Sequence, residues 1–248
     1  MLCRVSLLGL LLFAGCASAT VDGGTDDNVD AARIDAPPGD IDAPPGTIDA
    51  PPVPIDARVI DAPTTQTITL SQGPTTITAD NSLACTQTAT GYTSENSYYR
   101  AFRLADHGVN TAFTATRVDF GVENAVSGTG GSQSVQVKLY TVSGAFPAGV
   151  LTQIAGQIVT VNNTTTGITI PVTMSPAGVA AAGSTLVAEV YVPDGRPVGN
   201  TFFIGSNTAA ETGPSYIRAP DCSATNPVTF ASTGNPGVHI VLTVTGTY

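Results

Sequence analysis

Tryptophan is absent from the sequence, and aromatic residues make up only 6% of its 248 positions. The absence counts against a sugar site built on an indole platform and leaves tyrosine as the residue from which a stacking surface could be made. Histidine occurs twice, at His107 and His239. Neither follows a recognisable nucleophile signature and no Gly-x-Ser-x-Gly is present, so a nucleophilic triad lacks its base and its elbow. Positive charge is just as scarce. Beyond residue 63 the cations are Arg100, Arg103, Arg117, Lys138, Arg196 and Arg218, which do not form the concentrated basic face that nucleic acid requires. No nucleic-acid partner is expected. Apart from the N-terminal leader, no run approaches the ~20 apolar residues of a membrane-spanning helix.

That leader is the first thing present rather than missing. Arg4 precedes an apolar run from Val5 to Phe13, and Leu11-Leu12-Phe13-Ala14-Gly15-Cys16 then joins it to two small residues and a thiol. Residues 1–15 read as a secretory signal. The junction resembles the lipobox of bacterial lipoproteins, with Phe13 where that motif usually has Leu. The resemblance implies cleavage before Cys16 and lipidation of its thiol, so that the membrane is a partner through a lipid anchor. An ordinary signal peptide cut after Ala17 or Ala19 is the alternative. Several acyl chains on Cys16 would anchor stably, since each buried methylene contributes ~0.8 kcal/mol and one chain alone is marginal.

Residues 16–63 change character. Ile34-Asp35-Ala36-Pro37-Pro38-Gly39-Asp40 repeats as Ile41-Asp42-Ala43-Pro44-Pro45-Gly46-Thr47 and Ile48-Asp49-Ala50-Pro51-Pro52-Val53-Pro54, with shorter copies at Ile55 and Ile60. A seven-residue period would suit a coiled coil, but each full copy carries a Pro-Pro pair, and proline inside a helix costs ~3 kcal/mol. Proline also biases the residue before it to extended geometry. The stretch therefore predicts a disordered, semi-rigid tether with ~3.1 Å of reach per residue where extended. Ten aspartates against Arg33 and Arg58 give it a balance of −8 out of a chain total of −10. The acidity of the protein thus describes its tether and says little about a binding site.

Residues 64–248 have another texture: short runs rich in Thr, Val, Ile and Tyr, punctuated by Gly, Pro, Asn and Ser. Strands are expected over 66–70, 75–79, 97–103, 112–122, 134–142, 157–161, 167–172, 184–192, 201–206 and 238–247. Val118, Phe120 and Val122 alternate with Arg117 and Asp119, and Val135, Val137 and Leu139 with Gln136 and Lys138. Val238, Ile240, Leu242 and Val244 oppose His239 and Thr243, with Val241 blurring the pattern. Helical periodicity extends to one turn over 104–109. The fold class is therefore all-β, an antiparallel β-sandwich of jelly-roll type following the tether. Pro193-Asp194-Gly195 predicts a hairpin turn, and Gly128-Thr129-Gly130-Gly131 another flexible hairpin loop rather than a phosphate cradle. Cys85 and Cys222 form an even pair in an exported domain, which predicts a disulfide.

Candidate chemistry in this domain is thin, and no catalytic residue, metal site or cofactor is assigned. Asp119, Glu123, Glu189 and Asp194 are the carboxylates a glycosidase would draw on, but Asp119 and Glu189 fall on outward faces of strands and read as solvated charge. Loop carboxylates at Asp80, Asp194 or Asp221 could hold calcium without any motif to say so. The best aromatic patch is Tyr92 with Tyr98 and Tyr99, suited to a sugar or protein surface, although core packing by one tyrosine at a strand edge and hydrogen bonding by another explains the same residues and is the preferred reading.

Four segments, Ser97-Tyr98-Tyr99-Arg100-Ala101-Phe102, Val118-Asp119-Phe120-Gly121-Val122-Glu123, Val137-Lys138-Leu139-Tyr140 and Phe203-Ile204-Gly205-Ser206-Asn207, resemble a β-sandwich module found at the ends of secreted bacterial hydrolases and surface proteins. The resemblance implies an accessory, non-catalytic role. The expectation is a lipid-anchored protein of the bacterial cell envelope, at the outer membrane or cell surface, displaying a binding or adhesion module for carbohydrate or protein. A structural envelope protein without a small-molecule ligand is the alternative, and a hydrolase the third.

Overall fold

Alternation decides which side of each strand is buried, and the two sheets follow from it. The computed structural model describes residues 64–248; the expected signal peptide, Cys16 and the repeat tether lie outside the described residues. One sheet has five strands, β1 (Thr67–Leu70), β3 (Phe113–Val126), β6 (Thr165–Ala180), β8 (Thr201–Ile204) and β13 (Leu242–Thr247), in the order β1-β13-β3-β6 with β8 also on β3. The other has six: β2 (Asn96–Arg103), β4 (Ser132–Ser143), β5 (Val150–Asn162), β7 (Thr185–Val192), β10 (Ser215–Ala219) and β11 (Ala224–Thr229), in the order β11-β10-β2-β7-β4-β5. Short strands β9 (Ser206–Asn207) and β12 (His239–Ile240) form a third pair. All pairings are antiparallel.

Val118, Phe120 and Val122 from β3, Val135, Val137 and Leu139 from β4, and Ile240, Leu242 and Val244 join one core with Tyr98, Phe102, Phe113 and Phe202. Val241 leaves the alternation because the chain bends there: its N–H donates to Gly205 O at 2.8 Å and its carbonyl accepts from Gly121 N at 2.9 Å. That bend separates β12 from β13. Only one turn of helical character occurs where 104–109 predicts it, a 3-10 turn over Leu104–His107.

Two expected turns are crossings instead. β7 and β8 lie in different sheets, so Pro193-Asp194-Gly195 carries the chain from one layer to the other and not around a hairpin. Gly128-Thr129-Gly130-Gly131 does the same between β3 and β4. The two crossings touch: Gly128 N donates to Asn200 Oδ1 at 3.2 Å, and a Cβ on Gly128 would stand 2.3 Å from Val198 O. Glycine at 128 is therefore a packing requirement more than a source of flexibility. Residues 75–79 are no strand. They run over the first sheet, with Thr78 N donating to Ser206 O at 2.8 Å and Ile77 lying over Gly121 and Gly205, whose backbones approach so closely that a Cβ on Gly205 would stand 2.8 Å from Gly121 Cα.

The disulfide is formed. Cys85, just ahead of β2, bonds Cys222 in the 3-10 turn Pro220–Cys222, with Cα atoms 5.8 Å apart across a sequence separation of 137. Early and late parts of the domain are thereby tied at one end.

Candidate functional site

The outer face of the six-stranded sheet collects most of the domain's unusual side chains. Register places Tyr216, Tyr99, Glu189, Lys138 and Gly156 in one row across β10, β2, β7, β4 and β5. Arg218, Ser97, Tyr191, Gln136 and Ile158 form the next row, and Ala101, Val187, Tyr140 and Gln153 the row on the other side. Because strand side chains alternate, all three rows face away from the core. Four of the seven tyrosines and the chain's single lysine are on this face.

One half of it is covered. The β4–β5 connection folds Phe146 back over the sheet, its ring 4.8 Å from Tyr216 edge-to-face and 5.7 Å from Tyr99. Val187, Ala101, Tyr140, Val142 and Leu151 complete a small satellite core. Glu189 is caught at its margin and is only 4% exposed. Its Oε2 accepts from Tyr140 Oη at 2.5 Å and lies 3.7 Å from Lys138 Nζ. Burial, reinforced by the bond to Glu189, pushes the Tyr140 phenol up in pKa. Burial and then the charge of Glu189 do the same to Tyr99.

The other half is open. Lys138 Nζ stands 4.3 Å over the Tyr191 ring, a cation–π contact that leaves part of the tyrosine's edge to solvent. Tyr191 Oη donates to Glu95 at 3.4 Å, and Glu95 pairs with Arg218 at 2.6 Å. Beside this chain of contacts is a depression of about 440 Å³ lined by Gln136, Lys138, Gln153, Gly156, Gln157 and Ile158. Gly156 creates it: with no side chain on the outer face, the Gln153 amide lies across the strand, 2.9 Å from where a Cβ would be. Gln157 is held at the sheet edge by donating to Ser175 O. Gln136 and Gln153 make no side-chain hydrogen bond among the described residues, so both can offer a donor and an acceptor. Each of the formal charges Lys138, Glu189, Glu95 and Arg218 has an opposite partner. The chemistry on offer is hydrogen bonding from amides, one aromatic edge and compensated charge.

No protein-family model matches the chain, and no curated protein matches it. Among solved structures it is similar to the cysteine protease and lectin-like domains of a surface layer associated protein of Clostridium difficile, with a TM-score of 0.42 and 11% sequence identity. The likeness covers 62% of this chain and 32% of that one, so this chain spans about a third of the length of the structure it matches.

The tyrosine patch expected from the sequence is not assembled. Tyr98 and Tyr99 are neighbours on β2 and point to opposite faces. Tyr98 is 0% exposed in the main core, stacked 6.4 Å from Phe230 with its Oη donating to Leu83 O at 3.2 Å. Tyr99 is on the outer face but 5% exposed beneath Phe146. Tyr92 is elsewhere, packed on Gly199 of the β7–β8 crossing. The solvated reading of Asp119 and Glu189 is corrected too: both point outward as expected, yet both are buried. Asp119 is paired with Arg117, whose Nε donates at 2.8 Å.

Neither histidine is paired with a nucleophile. His107 packs edge-on against Phe102 at 5.9 Å, and burial lowers its pKa. His239 directs Nδ1 at Ala209 O and Nε2 at Pro236 O, the latter at 3.0 Å. Asp194 and Asp221 both bind Arg196, each at 2.7 Å, so a guanidinium sits between the carboxylates considered for calcium. Glu123 accepts from Asp80 N at 3.0 Å and from Ser82 Oγ. Among the described residues no group of three or more His, Cys, Asp or Glu could hold a metal ion.

The phenols supply a pH prediction. Tyr98, Tyr99, Tyr140, Tyr191 and Tyr216 all have pKa values raised from the ordinary 10.0, burial being the first cause in each. A phenol whose pKa is raised by folding holds its proton more tightly in the folded than in the unfolded chain. Its contribution is intact below pH 10 and is lost as the pH climbs above it. The four covered phenols, Tyr98, Tyr99, Tyr140 and Tyr216, are expected to ionise together with unfolding in an alkaline titration that follows phenolate absorbance and circular dichroism at once. Seven tyrosines ionising near pH 10 in a chain that stays folded would contradict the burial.

Proposed function

We propose that this chain is a lipid-anchored protein of the cell envelope that displays a non-catalytic β-sandwich as a binding module, and that the open half of the six-stranded sheet's outer face holds its carbohydrate or protein ligand. The observation that carries the reading is the depression beside Tyr191, where the amides of Gln136 and Gln153 are unengaged and every nearby charge is compensated. Such a surface suits a neutral, hydrogen-bonding ligand, because amides orient hydroxyl or amide groups while a tyrosine edge supplies apolar contact. The anchor rests on the leader and Cys16.

The experiment is a binding screen of the full chain against neutral glycans and cell-envelope polysaccharides, with Tyr191→Ala, Lys138→Ala and Gln153→Ala alongside and Cys16→Ala fractionated in parallel. Each of the three face substitutions is expected to weaken a positive interaction roughly tenfold, equal to ~1.4 kcal/mol. Gln153→Ala is expected to leave thermal stability unchanged, whereas Lys138→Ala also lowers it by removing the cation beside buried Glu189. Cys16→Ala is expected to move the protein from the membrane to the soluble fraction. Binding that survives all three face substitutions would remove this face from the reading, and a folded chain that binds nothing in the screen would favour a structural role.

A further inference from the structure

The rows of the six-stranded sheet's outer face continue one step past Ala101 and Val187, where register sets Arg103 of β2 opposite Thr185 of β7. A second depression opens there, about 580 Å³ in volume, and it shares no lining residue with the one beside Tyr191. Ala101, Arg103 and Thr185 belong to the sheet under it. Phe146 and Ala145 of the β4–β5 connection, Asp106 and His107 of the 3-10 turn, and residues 71–72 and 212–214 contribute its walls. Its volume falls in the range of about 300–1,000 Å³ common to small-ligand sites, which combine an apolar wall with a few convergent polar groups.

Three polar side chains in this depression are unspent. Arg103 is the one arginine among the described residues whose guanidinium makes no hydrogen bond; those of Arg100, Arg117, Arg196 and Arg218 all donate. Its charged neighbour is Asp106 at 3.8 Å, with the two side chains 68% and 64% exposed, a contact of little worth at that distance and exposure. The His107 ring packs on Phe102, but neither of its nitrogens is hydrogen-bonded among the described residues, and burial holds its pKa down. The neutral ring offers one donor and one acceptor. The half-buried Thr185 hydroxyl is likewise unengaged.

We propose that this depression is a second ligand site and that it takes an acidic sugar, a hexuronate unit whose carboxylate is bound by Arg103. A guanidinium free of hydrogen bonds can meet both oxygens of a carboxylate in one plane, and the exposed contact with Asp106 is weak enough to yield to it. Phe146 and Ala145 supply the apolar wall on which a pyranose ring can pack, while His107 and Thr185 serve its hydroxyls. An extended peptide with a terminal carboxylate is the poorer fit. Peptides that dock on sheets pair with an exposed strand edge, and the two strands under this depression, β2 and β7, lie inside the order β11-β10-β2-β7-β4-β5 with both edges already bonded.

The test is an NMR titration of the full chain with trigalacturonate, and with its methyl ester as a neutral counterpart of the same size. The acid is expected to bind about tenfold more tightly than the ester, shifting the amides of Arg103, His107 and Thr185. Arg103→Gln is expected to abolish that preference. Asp106→Asn, which removes the competing carboxylate, is expected to strengthen binding of the acid about threefold. Both side chains are exposed, so neither substitution is expected to move the melting temperature. Acid and ester binding equally, no binding of either, or acid binding that Arg103→Gln leaves intact would overturn the proposal, as would a tripeptide carboxylate that binds as tightly as the sugar acid. Tyr191→Ala is expected to change none of these affinities, and a loss in that variant would move the acid to the depression beside Tyr191 and remove this site.

Discussion

Replacing Cys85 and Cys222 together with alanine is expected to lower the stability of the domain by about 4–5 kcal/mol, among the largest effects available from any pair of residues here. The bond closes a loop with a sequence separation of 137. In the chain-entropy treatment a crosslink restricts the unfolded ensemble by an amount that grows with the logarithm of loop length, reaching ~4.7 kcal/mol for a loop of 100 residues. The contacts at this end are too sparse to substitute for it. Cys222 belongs to a three-residue turn with no buried residue, and the wall around the bond is a cavity of about 230 Å³ lined by Leu83, Ala84, Ile217, Ala219 and Ala224. β10 and β11 hang from that turn, and β11 is the outermost strand of its sheet. The melting temperature is expected to fall by about 8–20 °C, taking ~2–4 °C per kcal/mol for a domain of this size. A double variant within 1–2 °C of the wild type would show that strand packing alone fixes β10 and β11, and the chain-entropy account would be wrong for this domain.

The fold was legible where one face of a strand is apolar and the other polar. β3, β4 and β13 announce themselves in that way, and the disulfide was legible because residues 64–248 contain two cysteines, Cys85 and Cys222, and no third to compete for them. β10 and β11 escape the pattern for a physical reason: Ser215-Tyr216-Ile217-Arg218-Ala219 is short, and its tyrosine faces a covered surface rather than solvent. The long arms of β5 and β6 were cut short because their threonines, glutamines and glycines carry no clear alternation. The turn at Pro193-Asp194-Gly195 was recognisable as a turn, but which sheet the chain enters next is a tertiary property.

The site shows the same division. Tyr98 and Tyr99 could have been separated by strand parity alone, since adjacent residues cannot share a face. Nothing local, however, says that Phe146 will fold back over Tyr99 and Tyr216, or that this covering will bury Glu189. Lys138 and Tyr191 meet because β4 and β7, far apart in sequence, are neighbours in the sheet. Gly156 reads as a strand weakness, and its consequence, the depression, appears only when Gln153 lies over it.

Arg100 is the second large expected effect and was invisible in the sequence, where it looks like a surface cation on a strand. It is 2% exposed, because it shares the inward face of β2 with Tyr98 and Phe102. Its Nε and Nη2 donate to Ile240 O at 3.2 and 2.7 Å, and Nη1 donates to Gly213 O and Glu211 Oε2, both at 2.8 Å, and to Gln72 Oε1 at 3.3 Å. One side chain thus joins β2 to the segment after β1, the loop before β10 and β12. Burial lowers the guanidinium's pKa, and Glu211 opposes that shift. Arg100→Ala would leave Glu211 facing Ser215 without its cation and strand the Ile240 and Gly213 carbonyls, so the expected cost is about 3–5 kcal/mol, the range for breaking a buried pair from one side. Removing both charges is a different matter. Arg100→Met with Glu211→Gln deletes the unpaired carboxylate, and an apolar replacement of similar length can recover much of what a buried ion pair contributes. In a double-mutant cycle followed by urea denaturation, the paired substitution is therefore expected to be less destabilising than the sum of the two singles by at least ~1 kcal/mol. Additive losses, or a cost for Arg100→Ala below ~1 kcal/mol, would mean that water reaches the guanidinium site and that Arg100 behaves as the exposed cation its sequence suggests.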